Sequence, residues 1–409
     1  MKKFIIVSVS LILVAAGVFS LSLYSFFSKS EDKTEPDLKE TVVEKATKDE
    51  VKKEVKTDTD YLTLLSDNGI FSDNYEKAYD YVSKMTKEQM VGQMILSSCP
   101  TDESDLDLVT RYALGGYVFT SDNFYSLDAS GIKDKLSKYN ESASTPMVMA
   151  VKEEGGAVTT VSDLPAFTEY NFAHNRETFV TGGMDQIKVE EQKKAEMLSS
   201  IGINLNLAPV CDMAVEQNQI MYSRSLGGTV EETCEFVKNV TEISQSKGVS
   251  VALKHFPGYG TTPDTMDAVV TDTRENSVFE TNDFKPFEAG VEAKSHCVMV
   301  SNVLVQSLDP TCVASLSDYI HTILRERIGF TGLAITDNLD SADYSGYSGG
   351  KNVYVQAVLS GNDMIMVDKA EDAYMAILNG LNDGTIDEEI IKKACLRIIA
   401  YKYTAGILV

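Results

Sequence analysis

Short apolar runs alternate with amphipathic helical stretches from about residue 94 to about residue 403, and this alternation limits the possible folds more than any other feature. The runs are too short for helices, and several are rich in β-branched residues, so they predict strands. The eight predicted strands are Met94–Ser97, Gly116–Thr120, Met147–Val151, Asn204–Leu207, Ser250–Leu253, Cys297–Ser301, Leu333–Thr336 and Asp363–Val367. Strands separated by helices are typical of a parallel sheet, because parallel neighbours need a crossover connection.

The stretches between the predicted strands have the spacing of helices with one buried face. Thr86 and Gln89 fit a capping box that opens a helix before the first strand. Four predicted crossover helices are Asp185–Ile201, Val230–Lys247, Ser315–Ile328 and Lys351–Leu359. This pattern favours an α/β fold, a closed (β/α)8 barrel of the TIM type, as a single domain over residues 61–409. The alternative is an open doubly wound sheet, which usually has a glycine-rich phosphate loop that this sequence lacks.

Residues 1–28 have the features of a membrane signal. Lys2 and Lys3 precede an uncharged run, Phe4–Phe27, that would span roughly 36 Å as a helix and could cross a bilayer. We therefore expect a transmembrane anchor at the cell membrane, with the barrel outside the cell. The alternative is a cleaved signal peptide and a secreted protein. Residues 29–60 mix Lys with Asp and Glu and have few large apolar side chains, so they predict a disordered charged linker.

Charge and cysteine usage exclude some classes of function. The formal net charge of −24 argues against a nucleic-acid partner, because phosphate contacts need clustered Lys and Arg. The six cysteines have no metal-ligand spacing. Cys99, Cys211 and Cys297 lie in or beside predicted strands, which favours buried free thiols over disulfides.

Polar motifs follow several of the predicted strands. In a barrel of parallel strands the active site lies at the carboxyl ends, where these motifs would meet. Asp337 directly follows a strand, so its carboxylate would face the barrel mouth and could act as a nucleophile. The alternative is a turn-forming aspartate, since Asp-Asn often opens a turn. The motifs are Lys152-Glu-Glu-Gly-Gly156, Asn206-Leu-Ala-Pro-Val-Cys-Asp212, Ser223-Arg-Ser-Leu-Gly227, Lys254-His-Phe-Pro-Gly-Tyr-Gly260 and Thr336-Asp-Asn-Leu339.

In this order and at these distances, the five motifs resemble family-three glycoside hydrolases, specifically the β-N-acetylhexosaminidase branch. The resemblance implies that Asp337 is the nucleophile of a retaining hydrolase and that Lys254, His255 and Arg224 bind the sugar. It also implies no metal ion or organic cofactor, and a carbohydrate ligand such as an amino-sugar glycan or a peptidoglycan fragment. From the residues alone, Lys254 could instead be a paired structural charge and His255 a core histidine.

The sequence departs from the family at the acid/base position. Members of this branch carry Asp-Ser/Thr-His after the Lys-His motif, and that His protonates the leaving oxygen. Here the stretch is Asp264-Thr-Met266, so Asp264 remains as the remnant of the acid/base pair. Lys152 stands where the branch has an Asp that binds sugar hydroxyls, and Thr160 stands where an Arg is usual. Two readings stay open: an altered glycosidase, or a non-catalytic pseudoenzyme that binds glycans or docks a partner.

The exchange at Lys152 also suggests an acidic ligand, because a cation there would attract a carboxylate or a phosphate. A muramyl-type sugar with its lactyl carboxylate is one such ligand. The alternative is that Lys152 pairs with Asp337 or Glu154 and fills the pocket.

Overall fold

A ring of parallel strands forms the centre of the structure, a computed structural model that describes residues 69–102, 104–260 and 269–409. The strands are β1 Ile95–Ser98, β2 Gly116–Val118, β3 Val148–Val151, β4 Leu205–Asn206, β5 Ser250–Phe256, β6 Thr271–Asp272, β7 Cys297–Val300, β8 Leu304–Val305, β9 Leu333–Thr336 and β10 Ile365–Val367. Strands β6 and β8 pair with each other, and the other eight form one sheet in the order β10-β1-β2-β3-β4-β5-β7-β9. Each predicted strand overlaps one strand of this sheet.

The sheet closes on itself. The first strand, β1, pairs in parallel with both β2 and β10. At the seam between β9 and β10, Ile335 and Met364 form a parallel bridge. Beyond this bridge, the Leu339 N–H donates to the Met366 carbonyl at 3.0 Å. The predicted barrel is therefore confirmed, and the open doubly wound alternative is wrong.

Helices connect the strands, and several of them begin at a residue whose side chain caps the helix. The helices are α1 Tyr75–Val82, α2 Lys87–Gln93, α3 Asp105–Tyr112, α4 Ala129–Ser142, α5 Asn175–Ser200, α6 Val230–Ser246, α7 Asn276–Val278, α8 Phe284–Glu292, α9 Asp318–Thr322, α10 Val353–Leu359, α11 Ala370–Asn382 and α12 Glu388–Thr404. The predicted capping box of α2 is confirmed: the Thr86 hydroxyl accepts from the Gln89 N–H at 3.3 Å, and the Gln89 side chain accepts from the Thr86 N–H at 3.0 Å.

Two helices differ from the sequence prediction. Helix α5 begins before the predicted Asp185, and Gly183 interrupts it with a φ of 66°, which an L side chain rarely adopts. Helix α9 begins at Asp318 rather than Ser315, because the Ser317 hydroxyl caps it by accepting from the Ile320 N–H at 3.2 Å.

The core fills the barrel and the layer between the strands and the helices. The side chains of β3, β5, β7 and β9 are buried along the whole of each strand. All six cysteines are free thiols, and Cys99, Cys211 and Cys297 are buried, as predicted.

The predicted anchor Phe4–Phe27 and the predicted linker, residues 29–60, lie outside the described residues. Within the part of the chain that the structure describes, no helix is long and apolar enough to cross a membrane. The anchor, the linker and the domain boundary at residue 61 therefore stay predictions.

Candidate active site

Three alternate strands of the sheet, β3, β5 and β9, carry polar side chains to the carboxyl end of the barrel. Strand β3 ends just before Lys152 and Glu154, β5 contains Lys254 and His255, and β9 ends at Thr336, one residue before Asp337. Since the strands of the sheet are parallel, their carboxyl ends share one rim. The structure therefore brings these five predicted or neighbouring residues to the same mouth of the barrel.

Glu154 holds two of the predicted sugar-binding cations. Its carboxylate accepts two hydrogen bonds from the Arg224 guanidinium, at 2.9 Å from Nε and 2.7 Å from Nη2, and also pairs with the Lys254 ammonium. Burial disfavours ionisation of Glu154, but the charges of Lys254 and Arg224 outweigh it and hold the pKa of Glu154 well below its usual range. Burial lowers the pKa of Lys254 to about 8.

His255 is fixed by a second buried carboxylate. Asp212 accepts from His255 Nδ1 at 2.7 Å and from the Tyr259 N–H at 2.8 Å. A carboxylate on Nδ1 sets the orientation of an imidazole and favours the tautomer with the proton on that nitrogen. His255 is therefore held in one orientation, and its buried, bonded ring also fits the alternative of a core histidine.

Asp337 is half-buried and carries its charge without a close counter-ion. Its carboxylate accepts from the Asn338 N–H at 2.8 Å, which is the contact that a turn aspartate would make. Among the described residues no cation lies within 4.0 Å of it. Burial raises the pKa of Asp337, but the charges of Lys152 and then His255 outweigh this and bring it below its ordinary value. The carboxylate is thus ionised at neutral pH, as a nucleophile must be.

Lys152 is half-buried and pairs with neither Glu154 nor Asp337. Its ammonium makes no ion pair within 4.0 Å to any residue of the described ranges. Its carbonyl accepts from the Thr160 hydroxyl at 3.2 Å, so Thr160 closes the loop after β3. The charge of Lys152 reaches both Asp337 and Lys254, lowering the pKa of each.

The predicted acid/base stretch falls in the gap between residues 260 and 269. Asp264 and Met266 lie outside the described residues, so the predicted remnant of the acid/base pair stays a prediction.

Among the residues that the structure describes, no group of three or more His, Cys, Asp or Glu side chains could hold a metal ion.

Sequence reasoning did not assign roles to Glu154 and Asp212. Both stand in motifs that follow predicted strands, so a signal was present: a carboxylate at the carboxyl end of a barrel strand. Their position in the structure shows that they order the three donors Arg224, Lys254 and His255.

Comparison with known proteins decides the family. The model of the glycosyl hydrolase family 3 N terminal domain matches residues 86–401. This chain belongs to glycosyl hydrolase family 3. The family-3 resemblance drawn from the strand-end motifs is therefore confirmed.

Family-3 relatives agree with this assignment. A beta-hexosaminidase of Xylella fastidiosa strain M23 is 27% identical over 281 residues, which cover 67% of this chain and 82% of that protein. A beta-hexosaminidase of Xanthomonas campestris pv. campestris strain B100 is 28% identical over 271 residues, which cover 64% of this chain and 79% of that protein. The chain is thus similar to family-3 beta-hexosaminidases over most of their length.

Solved structures share the fold. The family-3 β-N-acetylglucosaminidase of Paenibacillus sp. str. FPU-7 superposes with a TM-score of 0.72 at 24% identity, over 79% of this chain and 63% of that one. The β-N-acetylhexosaminidase of Beutenbergia cavernae superposes with a TM-score of 0.67 at 21% identity, over 78% of this chain and 99% of that one. At these identities the likeness establishes the barrel alone.

Proposed function

We propose that this chain is a retaining glycoside hydrolase of the β-N-acetylhexosaminidase type that acts on amino-sugar glycans. The observation that carries the proposal is Asp337: a half-buried carboxylate at the barrel mouth, with a lowered pKa and no cation within 4.0 Å among the described residues. Lys254, His255 and Arg224 lie at the same mouth and are held by buried carboxylates. Fixed donors beside an ionised carboxylate suit a sugar with several hydroxyl groups.

The expected reaction has two steps. An Asp337 oxygen attacks the anomeric carbon, the bond from that carbon to the leaving oxygen breaks, and a glycosyl ester of Asp337 forms. Water then attacks the same carbon, the ester bond breaks to return the Asp337 carboxylate, and a proton of the water passes to solvent. Lys254 and His255 would hold the sugar hydroxyls during both steps, while Glu154 keeps Lys254 and Arg224 in place.

The leaving oxygen needs a proton, and position 266 cannot give one because methionine has no titratable group. General acid catalysis typically contributes about 10²- to 10⁴-fold. We therefore expect slow hydrolysis of ordinary glycosides and a smaller defect with aryl glycosides, whose leaving groups need little protonation.

A second candidate function is a non-catalytic protein that binds a glycan or docks a partner. The departures at Lys152, Thr160 and Met266 favour it, because they alter the binding wall and the acid/base position together. In that case the barrel would keep its shape and its ordered hydrogen-bond donors but would not hydrolyse the bound glycan.

The test is turnover of an aryl β-N-acetylglucosaminide by the wild-type chain and by Asp337→Asn. If Asp337 is the nucleophile, the variant loses activity by about 10³-fold or more. Asp343→Asn is the matched control, because it removes an exposed carboxylate from the loop that follows β9. Equal rates for the wild type and Asp337→Asn, with sugar binding retained, would establish the non-catalytic function instead.

We also propose that Phe4–Phe27 anchors the barrel outside the cell, where peptidoglycan would be its substrate. The support is the uncharged run after Lys2 and Lys3 and the charged stretch that follows it. The anchor predicts that the chain fractionates with membranes and that protease added to intact cells cuts it. A soluble secreted form that begins near Ser28 would contradict the anchor.

A further inference from the structure

Lys152 differs from the other cations of the barrel mouth, because its ammonium meets no carboxylate of the described residues. Lys254 and Arg224 both bond to Glu154, whose carboxylate is buried. Within the described residues, the Lys152 ammonium makes neither a hydrogen bond nor an ion pair. It nevertheless lies close enough to Asp337 to lower the pKa of that carboxyl more than any other cation does.

The carboxylates nearest to Lys152 in sequence are already occupied. Glu153 accepts from the N–H groups of Thr160 and Val161, at 2.9 and 2.7 Å, and from the hydroxyl of Ser162 at 2.5 Å. Glu154 accepts from two cations. The loop after β3 therefore offers Lys152 no carboxylate that is not already used.

A cation that no described carboxylate pairs with works against the reaction on a neutral sugar. The transition state of glycoside hydrolysis carries positive charge on the sugar ring, and a nearby cation raises its energy. The covalent step also removes the negative charge of Asp337, since a carboxylate becomes an ester. As the reaction proceeds, the positive charge near Lys152 therefore increases and the negative charge near it decreases.

An anionic group on the substrate would supply the missing charge. We propose that the site takes an amino sugar that carries a carboxylate or a phosphate, and that Lys152 binds this group. This inference rests on the proposed function, because it names the class of sugar for the same site. A hydrogen bond from an ammonium to an anionic group stabilises a complex more than one to a neutral hydroxyl does. The difference in affinity between anionic and neutral sugars is therefore measurable.

The experiment measures binding by calorimetry with glycosides that resist hydrolysis. The probes are the S-methyl β-glycosides of N-acetylglucosamine, N-acetylmuramic acid and N-acetylglucosamine 6-phosphate, which distinguish a carboxylate from a phosphate. We expect the wild type to bind at least one anionic probe about tenfold or more tightly than the neutral one. Lys152→Met should remove this preference, and Lys152→Asp should reverse it.

Lys193→Met is the matched control, because it removes an exposed lysine from α5 and should keep the preference. The affinity of Lys152→Met for the neutral probe reports whether that variant is folded. Equal affinity of the wild type for all three probes, or an anionic preference that survives Lys152→Met, overturns the inference.

Turnover separates this inference from the proposed function. Aryl glycosides of the same three sugars are assayed with the wild type and Asp337→Asn. A binding preference without Asp337-dependent turnover overturns the hydrolase and leaves the role of Lys152 standing. Asp337-dependent turnover without a binding preference supports the hydrolase and overturns the role of Lys152. If no probe binds, both proposals are overturned.

Discussion

In the proposed hydrolase Asp337 would be the nucleophile and position 266 would hold the acid, but only Asp337 is a titratable group. Asp337 is ionised because the charges of Lys152 and His255 outweigh its burial. Methionine at position 266 can neither give nor take a proton. The barrier that limits this chain is therefore expected to be departure of the leaving group rather than attack on the sugar.

Met266→His should raise turnover of unactivated glycosides by up to about 10²-fold, the lower range of general acid catalysis. Aryl glycosides should gain less, because their leaving oxygen is expelled without a proton. Rates on an alkyl and an aryl β-N-acetylglucosaminide, each compared with the wild type, check this. If neither rate rises, the altered binding wall rather than the missing acid limits the enzyme.

A buried lysine away from the mouth allows a test by pH. Lys402 is buried, and its ammonium donates to the Gln93 side chain at 2.6 Å and to the Gly115 carbonyl at 3.1 Å. Burial lowers the pKa of Lys402 to about 7, from an ordinary value of 10.5. Between these values the unfolded chain binds a proton that the folded chain does not, so this residue makes the free energy of unfolding rise with pH.

Urea unfolding at several pH values between 7.5 and 9.5 measures that slope. We expect the wild type to have a steeper rise, or a shallower fall, than Lys402→Met, whose side chain cannot titrate. Parallel pH profiles of the two proteins would contradict the lowered pKa.

Sequence reasoning placed Asp337, Lys254 and His255 at the barrel mouth but did not give their pairing. The position of Asp337, Lys254 and His255 follows from strand periodicity, because the residue after a buried strand must lie at a rim. Which carboxylate meets which cation depends on the reach of side chains between strands, and sequence spacing does not give that distance. For this reason Glu154 and Asp212 were missed as partners.

At the scale of elements, pairing with the neighbouring strand decides where β5 ends. The prediction ended β5 at Leu253, whereas the strand continues through Phe256, where it pairs with Val300 across an irregular register. A motif that reads as a loop in sequence, Lys-His-Phe, is thus part of the sheet. Tertiary pairing decides this, and local pattern does not report it.

Gly290 of α8 faces β5, and a Cβ added there would meet Leu253 Cδ1 at 2.2 Å. Gly290→Ala should therefore lower the free energy of unfolding by about 1–3 kcal/mol, the usual cost of overpacking. Leu253 precedes Lys254, so sugar binding should weaken as well. Denaturant unfolding and calorimetry measure the two effects.

Gly346→Ala is the control, because a Cβ there would meet nothing within 4 Å. We expect it to change stability by less than about 0.5 kcal/mol. A Gly290→Ala protein as stable as this control would show that α8 can move away from β5 without cost.

At the scale of the whole molecule, the seam between β9 and β10 depends on one carboxylate. Asp363 is buried and bonds to Arg325 at 2.7 Å, to Arg397 of α12 at 2.5 Å and to the Ala334 N–H of β9 at 2.9 Å. The next residue, Met364, forms the parallel bridge to Ile335 at this seam. The carboxylate therefore joins the strand that closes the barrel to the last helix.

Asp363→Asn should lower the free energy of unfolding by about 3–5 kcal/mol, because it removes the negative charge that the buried Arg397 and the partly exposed Arg325 both bond to. Thermal and urea unfolding measure it. Glu280→Gln removes an exposed partner of Arg327 and should cost less than about 1 kcal/mol. Similar losses in both variants would mean that the seam does not depend on this network.

Pairing of β1 with β10 has a consequence for synthesis on the ribosome. The strand at residues 95–98 is made early, but its second neighbour is at residues 365–367. At about 5–20 residues per second, translation of the stretch between them takes on the order of tens of seconds. Throughout that time the nascent chain has an unpaired strand edge, which is a template for pairing with other chains. A chaperone that covers this edge should therefore increase the yield of protein.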